Sequence, residues 1–228
     1  IFHPPLASDD TTTSRNKLNL PPNIPLLLHV GRLDSDKSVD NLIRAAAPAV
    51  RETEAHLVIV GDGSQKSHLI HLCRELGIEK KVHFTGFISP SSLAEIYRMA
   101  NVFITASEIE TQGIVLLEAA ASGLPIVAID ATCIKEVVHD QFNGFLVRSG
   151  DIHAFSEALV TLINDPKGSC AMGLNGRMLV SDLSNKNTWA QHEDLYNEII
   201  NQISRQHTTK TIESFPQWEF VKEWIGLK

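Results

Sequence analysis

The chain has 228 residues, of which 43% are apolar and 21% charged, a composition that suits a folded globular domain and argues against disorder. Its net charge of −7, from 20 Lys+Arg against 27 Asp+Glu, disfavours a nucleic-acid binder, which needs a clustered basic face. The longest apolar runs, residues 25–30 and Ile126–Ile129, are far too short to cross a membrane.

The chain opens Ile1-Phe2-His3-Pro4-Pro5, with neither an initiator Met nor a signal peptide, which predicts a piece of a longer protein. Leu26–Val30 is a short apolar run closed by Gly31, the pattern of a buried strand. Val39, Leu42, Ile43, Ala46, Ala47 and Val50 then recur with a helical period. His56–Val60 reads as a second strand, closed by Gly61-Asp62-Gly63. Leu69, Leu72, Cys73 and Leu76 mark the next helix, with Gly77 as its C-cap. A strand at 82–85, a helix at 93–99 and a strand at 102–104 follow. A helix at 113–122 ends at Gly123, and Pro125 blocks its continuation. Ile126–Ile129 and 145–147 are further strands, with a short helix at 134–138 between them. Beyond Gly150 the pattern is helical only: Ile152–Asn164, 168–180 and 189–203. A polar tail then ends in a short amphipathic segment, 218–225, that carries two tryptophans.

Short buried strands alternating with helices imply β–α–β crossovers. The expected fold class is α/β: a Rossmann-like parallel sheet of about six strands, with helices on both faces and C-terminal helices after it. The expected division is 1–24 as a linker end or N-terminal extension, 25–203 as the sheet domain with its C-terminal helices, and 204–228 as a tail with a terminal amphipathic helix. In such a sheet, ligands bind beyond the carboxyl ends of the strands, so the loops opening at Gly31, Gly61, Gly86, Thr105 and Asp130 are the ones to read. Cys73, Cys133 and Cys170 are odd in number and widely spaced, and read as reduced core residues of a cytosolic protein. His68 and His71 share a helical face without a third ligand and read as solvated.

Two loops carry chemistry. The first, 31–37, places Arg32 and Lys37 five positions apart; a guanidinium fork and an ammonium point charge suit a diphosphate. Its Asp34-Ser35-Asp36 has the D-x-D form of a metal site, but the two cations already supply countercharge, and an N-cap role for one Asp is the plainer reading. No metal is expected. The fourth loop, 105–113, leads into a helix whose first amides, at Gln112, Gly113 and Ile114, suit an anion. Glu110 precedes this helix; Glu118 lies inside it, among Ile114, Val115, Leu116, Leu117 and Ala119. A carboxylate in such company needs a partner, either water at the helix edge or a ligand's hydroxyls.

These residues resemble a family. Gly31-Arg32 with Lys37, Gly61-Asp62-Gly63, and Val82-His83-Phe84-Thr85-Gly86-Phe87 look like the nucleotide-binding half of the retaining glycosyltransferases built from two facing Rossmann-like domains (the GT-B fold, group 1 type). That group includes sucrose synthases, bacterial mannosyltransferases and glycolipid glucosyltransferases. Its hallmark is two glutamates separated by seven residues, matched here by Glu110 and Glu118. The run 119–128, then Glu136-Val137-Val138 and Asn143-Gly144-Phe145-Leu146-Val147, follow in the family's order. The resemblance covers about residues 25–200. This chain departs from the family at Ser38, where many members have Gly, at Gln112, where many have Phe, and at Cys133-Ile134-Lys135, where a Gly/Pro-rich pattern is usual.

The resemblance implies a role for each residue. Arg32 and Lys37 would bind the donor's diphosphate, Glu110 the hydroxyls of the transferred sugar, and Glu118 the ribose. Backbone amides of Gly113, Ile114 and Val115 would approach the phosphates and sugar, and the main chain at Phe87 and Ile88 the base. The implied reaction moves a hexose from a nucleoside diphosphate sugar (a UDP-sugar ahead of a GDP-sugar) to an acceptor hydroxyl, with retention and without a further cofactor. The implied partner is the family's N-terminal domain, which carries most of the acceptor site; Phe2-His3-Pro4 is similar to the end of the linker between the two. The isolated chain is then expected to bind nucleotide and be inactive. A membrane enters only through a lipid acceptor of an otherwise cytoplasmic enzyme. The 218–225 segment has three readings: return to the N-terminal domain, packing on its own core, or a membrane surface. Competing functions are a non-catalytic nucleotide-binding or docking module and a sugar-nucleotide epimerase. A dehydrogenase is disfavoured, because no G-x-G-x-x-G follows the first strand.

Overall fold

Six short apolar runs become six strands, as expected: β1 Leu26–Val30, β2 His56–Val60, β3 Val82–Gly86, β4 Val102–Thr105, β5 Ile126–Ile129 and β6 Gly144–Val147. They form one parallel sheet in the order β3-β2-β1-β4-β5-β6 in the computed structural model. The described residues are 2–6, 11–109, 113–131, 133–181 and 185–206. The helices are α1 Thr11–Lys17, α2 Val39–Glu52, α3 Lys66–Glu75, α4 Pro90–Met99, α5 Ile114–Ala121, α6 Ile152–Asn164, α7 Pro166–Val180 and α8 Asn185–Gln206. Contacts divide the chain into two units, Ile1–Ser181, which holds the whole sheet, and Asp182–Lys228, which holds α8. The 218–225 segment lies outside the described residues.

Parallel strands covered by helices expose no edge of their side chains to water, so every residue type in β1 and β4 is driven to be buried. Leu26, Leu27 and Leu28 are at most 2% exposed, and Val102, Phe103 and Ile104 fully buried. α2 turns Leu42, Ile43, Ala46, Ala47 and Val50 inward and lies against α6. α5 and α7 approach closely because α7 offers small residues, Ser169, Gly173 and Gly176, to the contact. Gly173 is essential there: a Cβ would stand inside the Gly123 carbonyl oxygen.

Residues 1–24, expected as a linker end or N-terminal extension, contain α1, which packs on α4. Its seven residues, Thr-Thr-Thr-Ser-Arg-Asn-Lys, have no apolar period. What holds α1 is Arg15, which donates to the carbonyls of Pro21, Ile24 and Met99, and Ser14, which donates to Glu95. The short helix expected at 134–138 is a 3-10 turn, Ile134–Glu136. Of the three cysteines only Cys73 is in the core; Cys133 is half-buried and Cys170 is exposed on α7, whose buried face is made by glycines and serine instead. His68 and His71 are exposed, as expected, and His71 pairs with Glu75 at 3.3 Å.

Candidate functional site

The strand order reverses between β1 and β4, so the loops that leave these two strands run apart and open a crevice at their carboxyl ends. Behind the crevice the two strands are tied by His29, 2% exposed, whose Nδ1 donates to the Ile104 carbonyl at 3.1 Å. In front of it they are tied by Lys37, whose Nζ donates to the Ile109 carbonyl at 3.2 Å. The same carbonyl accepts from Ser107 Oγ at 3.0 Å. A cation from the loop after β1 is therefore held on the loop after β4.

Arg32 leaves the same loop and is 64% exposed along its side chain. Its Nη1 donates to Asp34 and its Nη2 to Asp36, both at 2.8 Å. The D-x-D pair thus aims a guanidinium. Among the described residues no cluster of three or more His, Cys, Asp or Glu side chains could hold a metal. The N-cap role expected for one of these aspartates does not occur: Asp34 precedes the 3-10 turn Ser35–Lys37 but makes no side-chain cap bond to it. Its Oδ1 accepts instead from the backbone N–H of Ser64, at 3.0 Å, and from the Ser64 hydroxyl, at 2.9 Å. Those two bonds, with the guanidinium beside it, hold the Asp34 carboxyl below the usual carboxylate range.

Asp34 is thereby the joint between the loops after β1 and β2. The backbone seals the joint: Leu33 N–H donates to the Asp62 carbonyl at 3.0 Å and Gln65 N–H to the Leu33 carbonyl at 2.8 Å. Such close approach requires glycine at 63, where a Cβ would meet three Leu33 backbone atoms at 2.5 to 2.8 Å. Asp62 carries Lys66, 3.0 Å away, on the rim of the same loop. β3 ends beside it at Gly86, and Phe87 follows, 84% exposed, with Ile88 half-buried against the core.

The family's Gly after the loop lysine is replaced by Ser38, and the structure shows what the glycine would be for. Ser38 sits at φ 49°, ψ 36°, the left-handed region, between the 3-10 turn and α2. A serine there is strained by about 1–2 kcal/mol.

Gly113 precedes α5 at φ 59°, again left-handed, and lets the chain turn directly into the helix at Ile114. The Gly113 carbonyl accepts from the amides of Leu116 and Leu117. The amides of Ile114 and Val115 belong to the first turn, which has no intrahelical acceptors for them. Ile114 is 54% exposed at that end. Glu110, with Thr111 and Gln112, lies outside the described residues.

Glu118 lies on α5 and is half-buried, and its required partner turns out to be Tyr97 of α4, whose hydroxyl donates to Glu118 Oε2 at 3.0 Å. Burial raises the Glu118 carboxyl above the usual carboxylate range, and the Tyr97 bond partly offsets this. Sequence reasoning missed Tyr97 and Ser64, and it singled out Asp34 without its partner. Tyr97 falls among the buried positions of α4, and the Asp34–Ser64 bond joins residues 30 apart. The structure thus gathers Arg32, Lys37, Gly113, Ile114, Val115 and Glu118 on the loops and helix at one end of the sheet, with Phe87 at the end of β3. Chemically this is two cations and a helix N-terminus for an anion, and a carboxylate able to accept hydroxyl protons.

The comparisons with known proteins agree with the fold. The family described as "Glycosyl transferases group 1" matches residues 10–178. The D-inositol 3-phosphate glycosyltransferase of Corynebacterium glutamicum is 32% identical over 197 residues, covering 83% of this chain and 47% of that protein. Curated relatives matched by the chain are covered over only 33% to 50% of their own length. Among solved structures, Anabaena Alr3699/HepE in complex with UDP-glucose superposes with a TM-score of 0.70 at 26% identity, over 78% of this chain and 49% of that one. The C-terminal domain of a glycosyl transferase group 1 protein (LpcC) from Francisella tularensis superposes with a TM-score of 0.69 at 26% identity. That match covers 79% of this chain and 94% of the domain.

Proposed function

The chain belongs to the group 1 glycosyl transferases, and we propose that within that family it is the donor-binding half of a retaining hexosyltransferase. Residues 25–203 hold a nucleoside diphosphate sugar, a UDP-sugar ahead of a GDP-sugar, and residues 1–24 end the linker from an N-terminal acceptor domain. The observation that carries this reading is Lys37, held across the β1–β4 crevice on the loop after β4, with Arg32 aimed by two aspartates in the same loop as Lys37. A UDP-glucose complex of one structural neighbour and the near-complete match to a C-terminal domain of another support it.

In this reading the diphosphate lies between Arg32, Lys37 and the first turn of α5. As the glycosidic bond to the diphosphate breaks through an oxocarbenium-like transition state, negative charge grows on the leaving phosphate oxygen. Donors already in place stabilise it without reorganising, on the order of 3–4 kcal/mol each. The acceptor hydroxyl attacks the same face, and the departing diphosphate takes its proton, so no separate base is required. Glu110 binds hydroxyls of the transferred sugar and Glu118 the ribose, while the main chain at Phe87 and Ile88 meets the base. No metal is needed, since the two cations carry the countercharge. The enzyme is cytoplasmic, reaching a membrane only through a lipid acceptor.

The test is a transfer assay with the longer protein that contains this chain, using UDP- and GDP-hexoses and an acceptor mixture, with the anomeric configuration of the product read by NMR. The product keeps the donor's configuration, and the isolated 228-residue chain makes none. An inverted product overturns retention, and full turnover by the isolated chain overturns the two-domain account. Conversion of the nucleotide sugar to its epimer without acceptor replaces transfer by epimerisation.

A further inference from the structure

Tyr97 lies in the core, fully buried, yet carries a hydroxyl that a phenylalanine would not. Its ring is gripped on two sides. Phe2 meets it edge-on with centroids 5.4 Å apart at 87°, and Phe103 of β4 lies nearly parallel at 6.0 Å. The ring is therefore fixed, and with it the direction of the O–H. That hydroxyl has two acceptors in reach, the Val115 carbonyl at 3.3 Å and Glu118 Oε2 at 3.0 Å. The backbone carbonyl would satisfy a buried phenol by itself. The shorter bond goes to the carboxylate, 21 residues away on a different helix.

We propose that Tyr97 is a positioning residue of the donor site, whose buried hydroxyl holds the Glu118 carboxylate so that its other oxygen receives a ribose hydroxyl. The inference rests on the reading of Glu118 as the ribose ligand and adds what makes that ligand competent. A ribose hydroxyl can donate only to a carboxylate with a free acceptor oxygen, and a protonated carboxyl in the wrong orientation offers its own proton instead. Burial pushes Glu118 toward the protonated form, and a hydroxyl that donates to Oε2 favours the ionised one. Occupying Oε2 also leaves Oε1 as the oxygen to be shared with the ligand. Phe2 extends the arrangement to the N-terminal segment, since its ring forms one wall of the Tyr97 socket.

Calorimetric titrations of the chain with UDP, GDP and ADP identify the nucleoside diphosphate that binds. The same titration with its 2′,3′-dideoxy analogue then isolates the ribose hydroxyls. The chain prefers the hydroxylated nucleotide by about tenfold, and Glu118→Ala abolishes that preference. Tyr97→Phe, which removes one oxygen and keeps the ring, lowers affinity for the hydroxylated nucleotide roughly three- to tenfold and leaves the dideoxy affinity unchanged. It also moves the loss of binding on acidification to higher pH, because Glu118 no longer receives the Tyr97 hydrogen bond. An equal loss for both nucleotides, or no loss for either, overturns the positioning role while the Glu118→Ala result leaves the ribose reading standing. A wild-type chain without any preference, or a Glu118→Ala chain that keeps it, overturns the ribose reading and this inference together. If none of the three diphosphates binds at millimolar concentration, to the chain or to the longer protein, the donor-site reading itself fails.

Discussion

Gly63→Ala is the sharpest perturbation of the candidate site that touches none of its charged groups. A Cβ built at Gly63 stands 2.5, 2.6 and 2.8 Å from the carbonyl carbon, oxygen and nitrogen of Leu33, where ordinary contact begins at 3.4 Å. All three are backbone atoms, so the loop after β2 has to lift from the loop after β1. The bonds it would stretch are Leu33 N–H to Asp62 at 3.0 Å, Gln65 N–H to Leu33 at 2.8 Å, and the two from Ser64 to Asp34. Overpacking of this kind costs about 1–3 kcal/mol, and each weakened hydrogen bond adds roughly 0.5–1.5 kcal/mol. With one or two of the four bonds lost, the total of about 1.5–6 kcal/mol lowers Tm by roughly 3–24 °C in a unit of this size. Gly77→Ala is the control: φ is +69° but nothing lies within 4 Å, so only the left-handed backbone is penalised, by about 1–2 kcal/mol. The assay is urea and thermal unfolding of both variants, with nucleotide titration of each. Because Asp34 loses Ser64 and with it the fixed aim of Arg32, Gly63→Ala also weakens diphosphate binding. A Gly63→Ala chain as stable as Gly77→Ala, with unchanged nucleotide affinity, would refute the joint between the two loops.

Three further outcomes are expected. Ser38→Gly relieves a left-handed serine and, after the extra freedom glycine has when unfolded, stabilises the chain by about 0.5–1 kcal/mol in urea unfolding; a destabilised variant contradicts the strain. His56 and His83 stack 5.0 Å apart with a 2.8 Å ring-to-ring hydrogen bond, and burial lowers both below the usual histidine range. Their contribution is therefore complete above the unfolded value of about 6.5 and lost as pH falls below it, so the urea midpoint drops between pH 7.5 and 5.5 and His83→Gln flattens that slope. Thiol labelling of the native chain modifies Cys170 first and spares Cys73, which is 1% exposed and whose thiol burial pushes up to about 11; prompt labelling of Cys73 would place it outside the core.

The sheet was legible because burial on both faces leaves a strand no choice but a short apolar run, and glycine marks the ends of β1, β2 and β3. Leu26–Val30, His56–Val60 and Ile126–Ile129 were read to the residue for that reason. α1 was not legible, since its seven residues bury no stripe and are fixed by Arg15 reaching three carbonyls, one of them at Met99. Arg32 and Lys37 stood out by type and position, and Lys37 bridges to the loop after β4. Their settings did not. That Asp34 and Asp36 aim Arg32, rather than cap a helix, depends on a bond to Ser64 that no local pattern encodes. Glu118 signalled its need for a partner by its apolar neighbours, but Tyr97 comes to it from another helix through the packing of α4. Cys170 misled because α7 buries glycines, leaving the larger residues of an apolar-looking stretch outside.

The central claim is that Arg32, Lys37 and Glu118 form one nucleotide site. Its most direct test is parallel calorimetric titration of the purified chain with UDP, GDP and ADP, repeated with Arg32→Ala and Glu118→Ala. One diphosphate is expected to bind the wild-type chain in the micromolar to low-millimolar range, a span of about −8 to −4 kcal/mol, to be lost in Arg32→Ala and to bind about tenfold more weakly in Glu118→Ala. Binding left unchanged by both substitutions would contradict the account, because the nucleotide would then sit elsewhere on the sheet.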